Sequence, residues 1–453
     1  MGVVMKFGGT SVADPEAIAR LIGIVRHQRE RSDARTPPVV VVSALAGVTD
    51  QLVAVARMAE DGDADRAAAS LHALLDRHVA VATAVTNHSR PALLAQVNHE
   101  WNELAGLVHA LAVLREVSPR SHDAVLAVGE LVSSRIVAAA LADDGVPSAW
   151  VDARTVLVTD AEHMGAAPDM IETCERAREH VAPANARGAV VVLGGFIGAT
   201  AHGVTTTLGR GGSDYSAAIF GACLGVDEIQ IWTDVDGMLT ADPRIVSQPR
   251  VVPQLTFAEA SELAYFGAKV LHPSTILPAI AKNIPVRILN SRRKENPGTR
   301  ITANAEPAGG ALAAIACKRD VTVIDITSTR MLMAHGFLRR LFEVFERFKT
   351  AVDVVTTSEV SVSVTIDDTR RLDGILDNLR NFAEASCEAD MAIICAVGEK
   401  LTADATLFGR AVTALNGVPL RLVSQAASRR NITFVLRDAD VPHAMMRLHE
   451  TFF

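Results

Sequence analysis

The 453-residue chain has few aromatic residues and no dense group of cysteines. Aromatic side chains make up 4% of the residues, so alanine and valine do much of the core filling, as in α/β proteins with close helix–sheet contacts. The cysteines at 174, 223, 317, 387 and 395 form no CxxC pair, which argues against a disulfide scaffold or a zinc site. We therefore expect reduced cysteines and a cytoplasmic location.

Other absences exclude further classes of protein. The N-terminus carries no signal-peptide apolar region, and no apolar run approaches the length of a bilayer span, so we expect neither secretion nor a membrane segment. The net charge of −8 argues against sequence-independent nucleic-acid binding, because such binders concentrate positive charge. An anionic ligand would therefore need local cations. The length predicts two or three domains.

The glycine-rich segment 206–215 is poor core material. It contains glycines at 209, 211 and 212, together with Arg210 and Asp214. Glycines permit a positive φ and let a ligand approach bare backbone N–H groups, so the segment could hold an anion at the start of a helix. It could equally be a turn in which Ser213 or Asp214 caps the helix that follows.

A second glycine turn lies at the N-terminus. Residues 3–7 read as a buried strand, and Gly8-Gly9 breaks it before a helix that has Asp14 as its N-cap and Pro15 at its first position. This order suits a phosphate site, although the Walker A pattern is absent. Lys6 could reach a polyphosphate, or it could be a solvated lysine at a strand end.

Strands and helices then alternate. Buried strands are predicted at 39–42, 190–193, 228–232 and 285–289, with a helical excursion over 51–115 and a helix over 123–141. Glu130 in that helix is by default an exposed position, or else a partner for a ligand cation. Because polar loops follow the strands, we predict an α/β fold with an open, mainly parallel sheet and ligands at its carboxyl edge.

Beyond residue 305 the elements become shorter. Their order spells one βαββαβ ferredoxin-like unit over 321–389 and a second over 391–450 that lacks its last strand. A strand at 311–317 precedes the first unit and could supply the missing one. We therefore predict that the two units interleave.

Ordered motifs identify a family. The segments KFGGTSV at 6–12, SALAGVTD at 43–50, GE at 129–130, TTTLGRGGSD at 205–214, WTDVDG at 232–237 and FGAKVLHP at 266–273 together resemble aspartate kinase, a member of the amino-acid kinase superfamily. The tail at 331–362 is similar to the regulatory ACT pair of the monofunctional lysine-sensitive class. The resemblance implies an amino-acid kinase catalytic domain over 1–305 and a tandem ACT regulatory domain over 306–453.

The resemblance also implies site residues. The catalytic set would be Lys6, Lys269, Arg210 and Asp214. Arg210 would bind a substrate carboxylate and Glu130 and Asp214 its ammonium group, within the substrate set Thr49, Glu130, Thr207, Arg210, Gly211, Gly212, Ser213 and Asp214. The nucleotide set would be Lys6, Phe7, Gly8, Gly9, Thr233, Asp234, Leu239, Arg244, Lys269 and Val270.

The implied reaction is the transfer of phosphate from ATP to the side-chain carboxylate of L-aspartate, the first step toward lysine, threonine and methionine. A carboxylate is ionised at neutral pH, so the enzyme needs alignment and charge stabilisation but no general base. Mg²⁺ would bridge the nucleotide oxygens. Asp234 or Asp236 is a candidate for direct contact with the ion, but no residue is assigned as a metal ligand.

The ACT pair implies an amino-acid effector, with lysine expected, and a homodimer or a dimer of dimers. Its binding residues would be Met331, Ala334, Gly336, Phe337, Leu338, Val352, Asp353, Ser358 and Glu359, with Asp353 as the ammonium partner.

Two alternatives remain. One is a related amino-acid kinase with another carboxylate substrate, which predicts no ACT tail. The other is a catalytically silent amino-acid sensor, against which the presence of Lys6, Arg210, Asp214 and Lys269 argues.

Overall fold

A computed structural model of the chain describes residues 2–31, 36–267, 273–304, 312–328, 335–399, 401, 404–425 and 428–453. The backbone divides into two compact units. The first holds Met1–Met238, Pro253–Phe257 and Val270–Ala305, and the second holds Leu239–Val252, Ala258–Lys269 and Glu306–Phe453. Two stretches that precede residue 305 thus group with the second unit. The division into domains at 305/306 stays a prediction.

The first unit is built on a large sheet. Its strands are β1 (Val3–Phe7), β2 (Val39–Val42), β3 (Ser148–Trp150), β4 (Val158–Thr159), β5 (Val190–Gly194), β6 (Ile197–Thr200), β7 (Thr205–Thr207), β8 (Glu228–Thr233), β9 (Gln254–Thr256), β10 (Val286–Asn290) and β11 (Thr299–Thr302). Eight of them form one sheet in the order β3-β5-β2-β1-β8-β10-β11-β9. Every pairing is parallel except that of β10 with β11. The predicted open, mainly parallel sheet is confirmed.

Helices join and cover these strands. They are α1 (Pro15–Glu30), α2 (Val48–Glu60), α3 (Ala64–Val85), α4 (Arg90–Leu114), α5 (Pro119–Asp143), α6 (Ala153–Val156), α7 (Met170–His180), α8 (Ala182–Ala186), α9 (Gly212–Leu224), α10 (Phe257–Tyr265), which continues into the second unit, and α11 (Leu277–Ala281). Asp14 caps α1 by accepting the Ala17 N–H at 2.8 Å, and Pro15 is its first residue, as predicted. The predicted helical excursion is confirmed as α2, α3 and α4.

Helix α5 is the central helix of this unit. By length and composition alone it could cross a membrane, which the sequence analysis did not expect, but 83% of its most apolar window is buried inside the protein. Its buried residues include Asp123 and Glu130 among many apolar ones. A helix that is apolar on most sides and covered by protein is a core helix.

Three further strands form a small sheet in the order β4-β6-β7, which was not predicted from the sequence. Its last strand, β7, contains the buried residues Thr206 and Thr207. The start of segment 206–215 is therefore a strand and not a loop. A run of threonines favours a strand once a neighbouring strand can pair with it.

The expectation that all cysteines are reduced is wrong for one pair. Cys174 of α7 and Cys223 of α9 form a disulfide across 49 residues of sequence. Cys317, Cys387 and Cys395 are free. The pair could not be recognised from sequence because its members are close only after α7 and α9 pack together.

The second unit is an antiparallel sheet with helices. Its strands are β12 (Ala314–Thr327), β13 (Val355–Thr357), β14 (Ser361–Ile366), β15 (Glu384–Val397), β16 (Leu420–Gln425) and β17 (Asn431–Arg437), and its further helices are α12 (Phe337–Arg347), α13 (Leu372–Arg380), α14 (Ala405–Ala414) and α15 (Val441–Phe452). The six strands form one sheet in the order β13-β14-β12-β15-β17-β16.

Two long strands make the two ferredoxin-like units interleave. The first part of β12, from Ala314 to Lys318, pairs with the last part of β15, whereas the later part of β12 pairs with β14 and with the start of β15. The register shifts between Lys318 and Val323, next to Asp320 at φ 59°. The predicted interleaving is confirmed, but each predicted pair of short strands is one bulged strand.

We expect the buried His78 to make stability depend on pH. His78 of α3 is fully buried against Trp101 of α4, and burial lowers its pKa to about 4. The unfolded chain takes up this proton near pH 6.5, so the free energy of unfolding should fall by up to about 3 kcal/mol between about pH 6.5 and 4. Urea midpoints followed by circular dichroism should show this fall in the parent protein. The fall in the free energy of unfolding should be smaller in His78→Leu. It should be as large as in the parent in His72→Leu, which changes an exposed histidine of α3. Equal pH dependence in all three proteins would contradict the assignment.

Candidate active site

A cleft of about 530 Å³ opens at the carboxyl edge of the large sheet, where β1 and β2 end and α9 begins. It is lined by Lys6, Gly9, Ser43, Ala44, Leu45, Ala46, Gly47, Thr49, Asp50, His122, Leu126, Glu130, Met164, Phe196, Thr207, Gly209, Arg210, Gly211, Gly212, Ser213 and Asp214. All the residues of the predicted substrate set therefore lie in one cavity.

Lys6 is the cation at the floor of this cleft. It projects from the end of the central strand β1 and is 9% exposed, and its Nζ lies 2.7 Å from Asp214 Oδ1 in the first turn of α9. Lys6 is therefore not the solvated lysine of the alternative interpretation. The ion pair joins the end of β1 to the first turn of α9.

The Gly8-Gly9 turn follows β1 where the chain is crowded. A Cβ atom on Gly9 would lie 3.1 Å from the carbonyl oxygen of Ala44, so the turn fits closely against the loop after β2. The Gly8 N–H donates to the Trp232 carbonyl at 3.0 Å. Phe7, predicted for the nucleotide site, is fully buried and its ring stacks on Trp232, with centroids 6.0 Å apart. Its side chain belongs to the core.

The glycines at 209 and 211 shape the loop between β7 and α9. Both have φ of 72°, in the left-handed region that side chains rarely adopt. Gly211 is the N-cap of α9, so the prediction that Ser213 or Asp214 caps this helix is wrong. Both lie in its first turn, facing the cleft. Arg210, between the two glycines, is exposed at the mouth of the cleft.

Glu130 of α5 is an acid in an apolar helix, and it is 3% exposed. The interpretation of Glu130 as an exposed position is therefore wrong. Its Oε2 is buried without a hydrogen-bond partner. Burial raises the pKa of Glu130 to about 8, against the opposing effects of backbone N–H groups, including that of Ala44, and of the nearby Lys6. A cation that binds next to Glu130 would favour the ionised form of its carboxyl group.

Sequence reasoning missed a buried acid that supports the cleft wall. Asp123 is fully buried and accepts hydrogen bonds from Thr207 Oγ1 at 2.6 Å and from the Met164 N–H at 3.1 Å, and it lies 2.7 Å from His163 Nδ1. Thr207 and Met164 line the cleft. The one available signal was the spacing of Asp123 and Glu130, which places both on a similar face of α5.

Part of the predicted nucleotide set lies elsewhere. Thr233 is the last residue of β8 and Asp234 follows it, and Thr233 Oγ1 donates to Asp234 Oδ1 at 3.3 Å. Neither residue is among the described lining of the cleft. Leu239 and Arg244 belong to the second unit, in which Arg244 pairs with Asp242 at 2.6 Å. Lys269 and Val270 lie outside the described residues.

The described residues offer no ready-made metal site, since they contain no cluster of three or more His, Cys, Asp or Glu side chains that could hold an ion. Asp236 accepts hydrogen bonds from Asn290 at 2.7 Å and from Arg293 at 2.7 Å. Its charge is thus compensated by protein, and it fits a direct metal ligand poorly. Among the contacts of the described residues, Asp234 forms no ion pair with an arginine or lysine.

The described effector residues lie at the start of α12, before β13 and in the turn between β13 and β14. Gly336 is the N-cap of α12, which begins with Phe337 and Leu338, while Ser358 and Glu359 lie in the turn between β13 and β14. Val352 directly precedes Asp353. Met331 and Ala334 lie outside the described residues.

Asp353 forms an ion pair with a lysine of the same unit. Its Oδ1 lies 2.7 Å from Lys318 Nζ and accepts a hydrogen bond from the Tyr265 hydroxyl at 3.0 Å. Its Oδ2 is buried without a partner. The carboxylate side chain is 2% exposed, so it is a desolvated acid with one oxygen available for a second donor.

Comparison with known proteins places the chain in a family. Residues 1–290 match the amino acid kinase family and residues 394–452 match the ACT domain. Aspartokinase 3, chloroplastic, of Arabidopsis thaliana is 36% identical, with 99% of this chain and 81% of that protein covered. Lysine-sensitive aspartokinase 3 of Escherichia coli (strain K12) is 34% identical, with 100% and 99% covered.

Solved structures agree. The crystal structure of E. coli aspartokinase III in complex with aspartate and ADP superimposes with a TM-score of 0.86 at 33% identity, covering 100% of this chain and 99% of that one. The complex of the same enzyme with lysine and aspartate gives a TM-score of 0.82 at 34% identity, with the same coverage. With its own kinase and ACT units and full-length similarity to these enzymes, the chain belongs to the aspartokinase family.

Proposed function

We propose that this protein is an aspartate kinase that transfers the γ-phosphoryl group of ATP to the side-chain carboxylate of L-aspartate, giving 4-phospho-L-aspartate, and that lysine regulates it. The observation that carries the proposal is a cleft lined by both an arginine and a buried acid, neither of which forms an ion pair within the described part of the chain. Arg210 is exposed at its mouth and Glu130 is buried in its wall without a partner for Oε2. A zwitterionic amino acid complements both.

The roles of the cleft residues follow from their charges. Arg210 presents a planar fork to a substrate carboxylate, and Glu130 accepts the substrate ammonium group. Asp214 was predicted to contact the ammonium as well, but its observed partner is Lys6 at 2.7 Å. We therefore assign it first to holding Lys6 in place. Thr49, Thr207 and Ser213 supply hydroxyl groups along the cleft.

The chemistry needs no proton transfer before the attack. The aspartate carboxylate is ionised at neutral pH, and one of its oxygens forms the new bond to phosphorus as the bond to the ADP oxygen breaks. We assign stabilisation of the charge on the transferred group to Lys6 and to the Gly8-Gly9 turn, where the Gly9 N–H is the donor, because the Gly8 N–H already donates to the Trp232 carbonyl. Lys269, Thr233, Asp234, Leu239 and Arg244 remain our candidates for contacts with ATP.

The solved relative that contains ADP supports ATP as the phosphoryl donor. Mg²⁺ would neutralise the charge on the nucleotide phosphates. Because the described side chains form no metal cluster, we propose that the nucleotide's own oxygens provide much of its coordination. Asp234, directly after β8, is the candidate acid, since Asp236 is already paired with Asn290 and Arg293.

A homodimer or a dimer of dimers and a cytoplasmic location stay predictions. Leu338 and Phe342 of α12 and Val355 and Val360 at the β13 edge are exposed, and an apolar surface at a sheet edge favours association of ACT units. Aspartokinases 1, 2 and 3 of A. thaliana are named chloroplastic.

Two measurements test the proposal: the aspartate-dependent activity of the parent protein and the KM for aspartate in Arg210→Ala. The parent protein should form aspartyl hydroxamate from ATP, aspartate and hydroxylamine. In Arg210→Ala the KM for aspartate should rise by about 10- to 100-fold, because a charge-assisted bidentate contact is lost, while the KM for ATP changes little.

Arg187→Ala, which changes an exposed arginine after α8, is the matched control and should behave like the parent. A folded parent without ATP-dependent product would support the silent sensor instead. Product from glutamate but none from aspartate would support another amino-acid kinase. A raised KM for ATP in Arg210→Ala would contradict the role given to this loop.

Ionisation of Glu130 should make aspartate use depend on pH. With a pKa of about 8, Glu130 is mostly protonated in the free protein below that pH, and an ammonium group binds better to the charged form. Thus kcat/KM for aspartate should fall by up to about tenfold per pH unit below pH 8. Initial rates of aspartyl hydroxamate formation, measured over a range of pH, should show this slope.

In Glu130→Gln the slope should flatten and the KM for aspartate should rise at every pH, since an amide does not titrate. The other ionisable groups that line the cleft are Lys6, Asp50, His122, Arg210 and Asp214, so a slope that persists unchanged in Glu130→Gln would assign the titration to one of them.

We expect Asp353 to set lysine sensitivity. In Asp353→Asn the lysine concentration for half-maximal inhibition should rise at least about tenfold, because the effector's ammonium loses a desolvated carboxylate partner. Asp367→Asn is the matched control, since Asp367 also pairs with Lys318, at 2.8 Å, but is 45% exposed. Unchanged inhibition in Asp353→Asn, or equal losses in both variants, would reject this assignment.

A further inference from the structure

A second pocket of about 170 Å³ lies in the first unit, between the C-terminal half of α1 and the face of strands β1, β8 and β10. The residues 294–297, in the connection from β10 to β11, close one side. None of the residues predicted for substrate, nucleotide or effector lines it. With liquid water at about 30 Å³ per molecule, it has room for roughly six waters or one small metabolite.

This pocket is separate from the active-site cleft. Met5 and Lys6 are successive residues of β1, so their side chains point to opposite faces of the sheet. Lys6 lines the cleft and Met5 lines the second pocket. A ligand in the second pocket would therefore occupy the other side of the central strand.

Positive charge predominates around the pocket. Arg31, Arg287 and Lys294 contribute side chains to its wall, as does His27, against the single acid Glu295. Glu295 lies 4.0 Å from Lys294, and both side chains are largely exposed. This long contact between exposed side chains leaves most of the Lys294 charge uncompensated.

Arg287 is the key residue. Its Nε is buried and has no hydrogen-bond partner, and no carboxylate of the described residues forms an ion pair with it. A desolvated guanidinium N–H without an acceptor costs free energy, and an acceptor supplied by a ligand would recover it.

The neighbouring strand increases the need for an anion. Arg287 of β10 lies directly opposite Arg300 of β11 in an antiparallel pair, so both side chains project from the same face. Like charges in that arrangement are destabilising, and an anion between or beside them would relieve the repulsion.

The rest of the wall indicates what kind of anion fits. Gln230 is 4% exposed and is fixed by two hydrogen bonds, donating to Glu228 Oε1 at 2.9 Å and accepting from Trp232 Nε1 at 3.1 Å. One carboxylate oxygen of Glu228 is thus occupied by Gln230. Met5, Trp232 and Leu289 supply an apolar floor. An apolar floor below a guanidinium group suits an organic carboxylate better than a bare inorganic ion.

We propose that this pocket binds a small organic monocarboxylate, with its carboxylate on Arg287 and its apolar part on Met5, Trp232 and Leu289. Lys294 adds long-range attraction at the rim. The proposal does not depend on the kinase activity, because it concerns the opposite face of the sheet.

Calorimetric titration of the full-length protein with benzoate tests the site. Benzoate should bind the parent protein, and saturating aspartate and ADP should leave its affinity unchanged. Arg287→Met should weaken binding at least tenfold, because the bidentate contact is lost while much of the side-chain volume stays. Arg178→Met removes an exposed arginine of α7 and should bind benzoate as the parent does.

Several outcomes would overturn the proposal. The first is the absence of a heat of binding for benzoate at concentrations up to about 10 mM. The others are competition of aspartate or ADP with benzoate, and equal benzoate affinity in Arg287→Met and the parent protein. Tighter binding of inorganic phosphate than of benzoate would reject the carboxylate class. If Arg287→Met does not fold, Lys294→Met, which changes an exposed side chain, serves instead and should weaken benzoate binding by about threefold or more; an unchanged affinity would reject the site.

Discussion

The ion pair between Lys6 and Asp214 is the interaction on which the catalytic architecture depends. It joins the end of the central strand to the first turn of α9, and both side chains are largely buried. Removing one partner of a buried pair would leave an uncompensated charge at the floor of the cleft. The positions of the glycine turn after β1 and of the loop before α9 are thus coupled. The same lysine also weakens, through its charge, the rise in the Glu130 pKa.

Buried acids organise both units. In the first unit Asp123 has its hydrogen-bonding capacity largely filled by Thr207, Met164 and His163, so it acts as a fixed support. Glu130 keeps an oxygen without a partner, so it is ready for a ligand. In the second unit Asp353 combines both conditions, with one oxygen on Lys318 and the other unpaired. Unfilled hydrogen-bonding capacity, more than burial itself, is the reason that we propose Glu130 and Asp353 as ligand-binding acids.

Much of the fold could be predicted because its signals are local. The run VVVV at 39–42 and the Asp14-Pro15 helix start report on their own surroundings, and both elements formed as expected. The interleaving of the regulatory units could be predicted because the second unit lacked one strand and an additional strand preceded the first unit. The site was predictable only as a set of motifs, since segment 206–215 alone fitted a simple turn as well as a binding loop. The Cys174–Cys223 disulfide and the support from Asp123 had no local signal, because their partners meet only after helices pack.

By itself the sequence determined the alternation of strands and helices, the family and the residue types available for chemistry, since periodicity and motif order are properties of the chain. Only the tertiary structure decided which of those residues meet. It paired Asp214 with Lys6, buried Glu130 and capped α9 with Gly211 in place of Ser213 or Asp214. It also set Arg287 opposite Arg300 across two strands. Burial and cross-strand register arise from contacts distant in sequence, and these contacts fix the charge and the unfilled hydrogen bonds that a ligand meets.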